Sequence, residues 1–136
     1  MKTLYIVVLL AIGLAACKNN SSDPAPGNTT NQNLLNTWKV SQVLEGALDI
    51  TSEFSQYRLT FEESNGSKNF TLVKQDGTSF TGSWEISTDE TTITLTTNGN
   101  VVTLSGVRIS ASELKYATDE DGKTGLVRLN FVLGPA

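Results

Sequence analysis

From Leu34 to the end of the chain, apolar and polar residues alternate with a period of two. Successive side chains of a β-strand point to opposite faces of a sheet, so this alternation predicts half-buried strands rather than helices. Eight runs of this kind follow one another, each with one apolar face. The residues on these faces are Trp38, Val40 and Leu44; Tyr57, Leu59 and Phe61; Phe70 and Leu72; Phe80, Trp84 and Ile86; Ile93 and Leu95; Val102, Leu104, Val107 and Ile109; Leu114 and Tyr116; and Val127, Leu129, Phe131 and Leu133.

The segments between the runs contain dipeptides that are typical of tight turns. Asn, Asp and Gly tolerate the positive φ that short hairpins require, so neighbouring strands should be antiparallel. No segment between two runs is long enough for a crossover helix, and at residues 110–113 we expect a turn. A change of parity at Ser105-Gly106 predicts a β-bulge. The turn dipeptides are Asn65-Gly66, Asp76-Gly77, Asn98-Gly99 and Asp121-Gly122.

This order of strands predicts an all-β domain over residues 34–136. The expected fold is a small eight-stranded antiparallel up-and-down (meander) β-barrel, because closure removes both exposed sheet edges. Its interior would be just wide enough for side chains or for one small ligand. A flattened sandwich of two sheets is the alternative.

The start of the chain predicts export and a lipid anchor. Residues 4–16 are apolar or small and follow a single lysine. They would cover only about 20 Å of a hydrocarbon core of about 30 Å, so a cleaved signal peptide over residues 1–16 is expected rather than a spanning helix. The sequence Leu14-Ala15-Ala16-Cys17 resembles the lipobox of bacterial lipoproteins. An ordinary secretory peptide with an incidental cysteine is the alternative.

The lipobox resemblance implies cleavage before Cys17 and a diacylglyceryl group on its thiol. It also implies attachment to a lipid membrane as an outer-membrane lipoprotein of the cell envelope, facing either the periplasm or the cell surface. Residues 18–33 are polar, hold two of the three prolines and show no periodicity, so residues 17–33 are expected to form the lipidated cysteine and a flexible tether.

Composition excludes several kinds of chemistry. The chain has 136 residues, no histidine and one cysteine, which excludes a disulfide framework, zinc sites of Cys and His, and Ser-His-Asp catalysis. The formal net charge of -4 argues against a nucleic-acid partner, which would need a basic face. We expect a monomer without cofactor, metal or enzymatic activity.

Four stretches carry a family resemblance: LLNTWKV from residue 34, DITSEFSQYRLTF from residue 49, GTSFTGSWEIS from residue 77 and LVRLNFVL from residue 126. Together they resemble the lipocalin-like lipoproteins of the Bacteroidetes type. Trp38 matches the tryptophan of the calycin Gly-x-Trp signature, although Asn36 replaces the glycine. Lipocalins pack an arginine over that tryptophan, and the nearest candidate, Arg128, should point outward by alternation. The resemblance implies noncatalytic binding of a small apolar ligand.

Strand reversal predicts where such a ligand would bind. With Trp38 at the closed end, the two longest connections, at residues 45–56 and 118–125, lie at the opposite rim with the turns at 75–78 and 97–100. Gln42 is the polar residue on the inward face and could orient a ligand, or hydrogen-bond to a neighbouring tyrosine or water. Trp84 could either line the ligand site or pack in the core. The candidate ligand-lining residues are Gln42, Leu44, Tyr57, Phe80, Trp84, Leu95, Val102, Tyr116 and Val127.

Two functions remain open from the sequence. In the first, a membrane-anchored envelope lipoprotein binds a small apolar ligand through this rim, whose acidic residues favour neutral or cationic ligands. In the second, the inward side chains fill a dry core and the rim loops bind another envelope protein, as in an inhibitor or an assembly factor.

The lipid anchor is testable by one substitution. Cys17→Ser removes the thiol that would be acylated, so lipid labelling should be lost and the protein should leave the membrane fraction. Radiolabelled fatty-acid incorporation and membrane fractionation measure these two effects. Ser21→Ala, four residues along, is the control and should change neither. Undiminished membrane association of the Cys17→Ser protein would contradict the anchor.

Overall fold

The computed structural model describes residues 28–136, and side chains from residue 31 onward. The predicted signal peptide, Cys17 and the tether residues before Asn28 lie outside this part. The described residues form one short α-helix, a 3-10 helix at Thr51–Phe54 and nine strands. The helix is α1 (Asn28–Leu34), and the strands are β1 (Thr37–Glu45), β2 (Leu48–Asp49), β3 (Arg58–Ser64), β4 (Ser67–Val73), β5 (Ser79–Ile86), β6 (Thr92–Thr97), β7 (Asn100–Ile109), β8 (Leu114–Gly122) and β9 (Gly125–Pro135). Neither helix is long and apolar enough to cross a membrane.

The strands form one closed antiparallel sheet. From β3 to β9 each strand pairs with the next, and β1 lies between β3 and β9. The β1–β9 ladder runs from the pair Trp38–Pro135 to the pair Glu45–Leu129. The two-residue strand β2 only folds back on the end of β1. The predicted fold, an eight-stranded antiparallel meander barrel, is therefore confirmed, and the sheet is not split into a sandwich.

Helix α1 covers one end of the barrel, which we call the closed end. Trp38 and Leu34 are fully buried there, and the Trp38 indole N–H donates to the Leu34 carbonyl over 3.0 Å. The polar sequence predicts a flexible tether up to residue 33, but residues from Asn28 onward belong to α1. A helix of seven residues is too short to be stable on its own and depends on packing against the barrel. Its sequence therefore need not show a helical pattern.

A bulge in β1 overturns part of the predicted face. The β1–β9 register shifts between Val40 and Gln42, so Ser41 is an extra residue. One extra residue exchanges the two faces of the strand beyond it. Val43 is therefore fully buried. The prediction that Gln42 and Leu44 point inward is wrong: Gln42 is exposed and Leu44 is only half-buried, on the outward side.

The turns mostly follow the predicted dipeptides. Asn65-Gly66 has φ of 51° and 78°, as a two-residue turn requires, and Asn98-Gly99 has similar values. The bulge at Ser105-Gly106 is confirmed by a register shift and by the positive φ of Gly106. Asp121-Gly122 is not the turn, because β8 continues through Gly122. A Cβ there would lie 2.2 Å from the Val127 side chain, so this glycine serves close packing.

The end opposite α1, which we call the open rim, is not fully hydrogen-bonded. The β5–β6 ladder stops at the pair Ser83–Thr96, and the β7–β8 ladder stops at the pair Ser105–Ala117. Strands β6 and β7 still pair with each other up to the tip. Residues 97–104, which we call the free hairpin, therefore lack ladder partners in β5 and β8. The barrel wall therefore lacks backbone ladder bonds on both sides of this hairpin, although on the β5 side the Thr97 hydroxyl donates to the Thr81 carbonyl over 2.6 Å.

Candidate functional site

Two cavities open at the rim, one on each side of the free hairpin. The first, between β7 and β8, has a volume of about 310 Å³. The second, between β5 and β6, has a volume of about 200 Å³. The first is lined by Tyr57, Leu72, Lys74, Leu95, Val102, Leu104, Thr118, Asp119, Glu120, Asp121 and Leu126. The second is lined by Phe70, Leu72, Lys74, Phe80, Leu95, Thr97, Asn98, Asn100 and Val102.

The two cavities are adjacent, and together we call them the rim chamber. Leu72, Lys74, Leu95 and Val102 line both of them. Leu95 and Val102 are directly paired across the free hairpin. The side chains of Leu95 and Val102 face inward, so the hairpin forms one wall of the chamber. Leu72 of β4 belongs to the opposite wall. The chamber therefore has one cavity, and one exit, on each flank of the hairpin.

An aromatic cluster separates the chamber from the core. The Tyr57 and Tyr116 hydroxyls are hydrogen-bonded at 2.6 Å, and the Tyr116 ring stacks on Phe131 with centroids 5.0 Å apart. Phe54, from the 3-10 helix of the rim loop, meets Phe131 edge-on at 5.3 Å. Tyr57 is the member that lines the chamber. The cluster thus ties the rim loop to the barrel and gives the chamber a rigid base.

Both tyrosines remain protonated over the physiological pH range. Burial raises the pKa of Tyr57, although its hydrogen bond to Tyr116 acts in the opposite direction. Burial is also the main cause that raises the pKa of Tyr116. The negative charge of Glu120 adds to both increases. The pair is therefore a neutral hydrogen-bonded unit, in which one hydroxyl donates and the other accepts.

The rim loop is held to β1 by a small polar network. The Thr51 hydroxyl accepts from the Val43 N–H over 3.0 Å and donates to Asp49, and the Ile50 N–H donates to the Val43 carbonyl. The bonds from Thr51 lower the pKa of the Asp49 carboxyl. Gln42 makes a 3.5 Å contact with Asp49 on the outer surface. Its amide thus belongs to this outer network and not to the chamber.

Arg128 lies outside the barrel, as alternation predicts. Its guanidinium pairs with Asp119 at 3.3 Å and donates to the Ser105 hydroxyl over 2.7 Å. Ser105 belongs to the last β7–β8 pair below the free hairpin. Arg128 therefore joins β7, β8 and β9 on their outer face where the wall opens, at the end of the barrel away from Trp38.

The predicted lining residues divide into three groups. Tyr57, Phe80, Leu95 and Val102 line the rim chamber. Tyr116 is hydrogen-bonded to Tyr57 and does not itself line either cavity, and Val127 packs against the core. The residues placed elsewhere are Gln42 and Leu44 on the outward side of β1, and Trp84 in the core.

Trp84 serves packing rather than the chamber. It is 1% exposed, its indole N–H donates to the Glu62 carbonyl over 3.1 Å, and Phe61 meets it edge-on at 5.6 Å. Of the two interpretations that the sequence left open, core packing is therefore the one observed.

Several lining residues were missed by the sequence analysis. Leu72 was assigned to the core, and Lys74 lies just beyond its strand. Thr118 and Glu120 were assigned to a rim loop, whereas β8 extends through them to Gly122. The period-two pattern of Leu114 and Tyr116, continued along the chain, places Thr118 and Glu120 on the same inward face, so the sequence did carry a signal for them.

The chain matches no protein-family model and no curated protein sequence. Among residues 28–136, no three or more Asp, Glu or Cys side chains are grouped so that they could hold a metal ion. What the described residues provide is an apolar space in a rigid barrel, with hydroxyl and carboxylate groups at one of its exits.

The tyrosine pair predicts a characteristic pattern of stability. Tyr57→Phe should lower the free energy of unfolding by about 1–3 kcal/mol, because it leaves the buried Tyr116 hydroxyl without its partner. Tyr116→Phe should do the same. The double variant should recover most of the loss, since no hydroxyl is then left unpaired. Urea unfolding of the four proteins measures the coupling, and strictly additive losses would contradict it.

The raised pKa values also predict a loss of stability at alkaline pH. The unfolded tyrosines ionise near pH 10, whereas the folded state keeps their protons to higher pH. The contribution is fully present below about pH 10 and is lost as pH rises further, by up to about 1.4 kcal/mol per pH unit for each group. Urea unfolding between pH 8 and pH 11.5 measures the slope. The double phenylalanine variant is the control and should lose this component; equal slopes would contradict the assignment.

Proposed function

We propose that this chain is a membrane-anchored lipoprotein of the bacterial cell envelope, and that its lipocalin-like barrel binds a small apolar ligand without catalysis. The binding site is the rim chamber, at the end opposite Trp38. The observation that carries the proposal is the lining shared by both cavities, in which Leu72, Leu95 and Val102 are apolar and Lys74 is the one charged residue among those described. A cavity that is lined by aliphatic side chains and open to solvent is the usual form of a small-molecule site.

Exposed apolar surface at the chamber favours occupation. Phe80 and Val102 line the chamber, and each is 38% exposed. A ligand that covers such surface gains about 25 cal/mol for each Å² of apolar area removed from water. The rigid base of aromatic side chains adds to this, because a preformed site loses little conformational entropy when the ligand binds.

The position of the anchor is consistent with access to this site. Residues 18–27 connect Cys17 to the start of α1 and can span at most about 35 Å. Helix α1 covers the closed end of the barrel. An acylated Cys17 would therefore hold the barrel by its closed end, and the open rim would lie on the side of the barrel away from the tether.

A protein partner is the second candidate function. All five of the large hydrophobic residues that are exposed within residues 28–136 lie at or near the open rim: Leu48, Phe80, Val101, Val102 and Leu126. Leu48 and Val101 are not among the residues that line the chamber, and each is 62% exposed. An envelope inhibitor or an assembly factor would use such outward side chains to contact its target.

Two neighbouring valines provide a matched test. Val102 lines the chamber, and Val101, the preceding residue of β7, points away from it. In the Cys17→Ser protein, Val102→Trp should fill the chamber and weaken binding of the neutral apolar fluorophore N-phenyl-1-naphthylamine at least tenfold, whereas Val101→Trp should bind as the parent does. Fluorescence titration measures affinity, and circular dichroism with thermal unfolding verifies the fold.

The outcomes separate the two functions. Equal binding by the parent and the Val102→Trp protein, or no binding by the parent, would contradict the apolar-ligand function. An envelope protein that is captured by the parent and by Val102→Trp but not by Val101→Trp would instead support the protein-interaction function.

A further inference from the structure

The two exits of the rim chamber differ in polarity. Between β5 and β6 the lining is aromatic and aliphatic, with Phe70, Phe80 and Leu72. Between β7 and β8 the lining adds polar side chains of β8, namely Thr118, Asp119, Glu120 and Asp121. A ligand that extends beneath the free hairpin from one exit to the other would therefore meet an apolar environment at one end and a polar one at the other.

Glu120 points into the chamber. It lies on the inward face of β8, two residues beyond Thr118 and four beyond Tyr116, which are both buried. Its ladder partner on β9 is Val127, which packs against the core. The charge of Glu120 also acts on the hydroxyls of Tyr57 and Tyr116. These three observations agree that the carboxylate faces the interior of the barrel.

This carboxylate has no cationic partner within residues 28–136. The ion pairs there are Lys115–Glu113, near the closed end, and Arg128–Asp119, on the outer surface. Asp119 is thus paired with Arg128, whereas Glu120, like Asp121 in the same lining, has no ion-pair partner among these residues. Lys74 is the cation that lines both cavities; its ammonium lies 5.9 Å from the centre of the Phe80 ring and forms no ion pair with Glu120.

Thr118 adds a hydrogen-bonding group beside this carboxylate. Its side chain lines the chamber and is only 5% exposed. Among the described residues its hydroxyl makes no hydrogen bond, and the hydroxyl oxygen is not one of the fully buried unpaired polar atoms, so it remains accessible from the chamber. A hydroxyl accepts a hydrogen bond from an ammonium group, and a carboxylate provides the opposite charge.

We infer that the ligand of the rim chamber is a cationic amphiphile: an alkyl chain that ends in an ammonium group. The alkyl chain lies beneath the free hairpin towards Phe80, and the ammonium lies between Glu120 and Thr118. This inference rests on the proposed function and specifies its ligand. A fatty acid would bring its carboxylate towards Glu120 and would be repelled there.

Three amphiphiles of equal chain length test the inference: dodecylammonium, dodecanol and dodecanoate. Each displaces N-phenyl-1-naphthylamine from the Cys17→Ser protein at pH 7, low salt and concentrations below micelle formation. We expect dodecylammonium to bind at least tenfold more tightly than dodecanoate, with dodecanol between them. Glu120→Gln should reduce the affinity for dodecylammonium to about that for dodecanol and leave dodecanol unchanged.

Two further variants locate the two ends of the ligand. Glu113→Gln, near the closed end, makes the same change in net charge and should preserve the preference for dodecylammonium. Phe80→Ser should weaken all three amphiphiles by a similar factor, because it removes a contact with the alkyl chain and none with the head group. Circular dichroism verifies that each variant is folded.

Each outcome has a distinct meaning. Tighter binding of dodecanoate than of dodecylammonium would overturn the inference and would indicate that Lys74 selects an anionic head group. Equal effects of Glu120→Gln and Glu113→Gln would overturn it as well, because the preference would then follow net charge alone. If dodecanol binds but no head group is preferred, the inference fails and the proposed function stands. If none of the three binds, both fail.

Discussion

The pairing of the first strand with the last is the interaction on which the rest of this structure depends. The ladder between β1 and β9 joins residues about ninety positions apart, from the pair Trp38–Pro135 to the pair Glu45–Leu129, and closes the sheet. Closure gives every other strand a defined inside and outside, so that apolar faces can fill a common core. It also sets Phe131 of β9 against Phe54 and Tyr57, which follow β1 along the chain, and so assembles the base of the chamber.

The candidate site exists because this closed sheet is incomplete at one place. The interior of an eight-stranded barrel is just wide enough for side chains or for one small ligand, and here two ladders stop below the rim, so that residues 97–104 have no ladder partners in β5 and β8. Glycines occupy both boundaries: a Cβ on Gly82 would lie 1.9 Å from the Thr96 carbonyl oxygen, and Gly106 adopts the positive φ of a bulge. The opening is thus specified by particular residues, and it supplies the space that a ligand or a partner would use.

Much of the fold was predictable because period-two alternation is a local property. A strand that is buried on one face alternates wherever it lies, so the strand order, the antiparallel pairing and the assignment of loops to the open rim all followed from pattern and turn residues. Tyr57, Phe80, Leu95 and Val102 were placed at the chamber for the same reason. The failures at Gln42 and Leu44 have one cause, a bulge in β1 that no local signal marks and that exchanges the two faces beyond it.

By itself, the sequence determined that the chain has strands with one apolar face, that hairpins join them, and that histidine and disulfide chemistry are absent. Only the tertiary structure decided where the ladders end, that residues 28–34 form a helix across the closed end, and that Asp119 pairs with Arg128 on the outer surface. The reason is physical. Alternation depends on neighbours two residues apart, whereas ladder length, bulge position and the partner of a charge depend on residues that only closure of the barrel brings together.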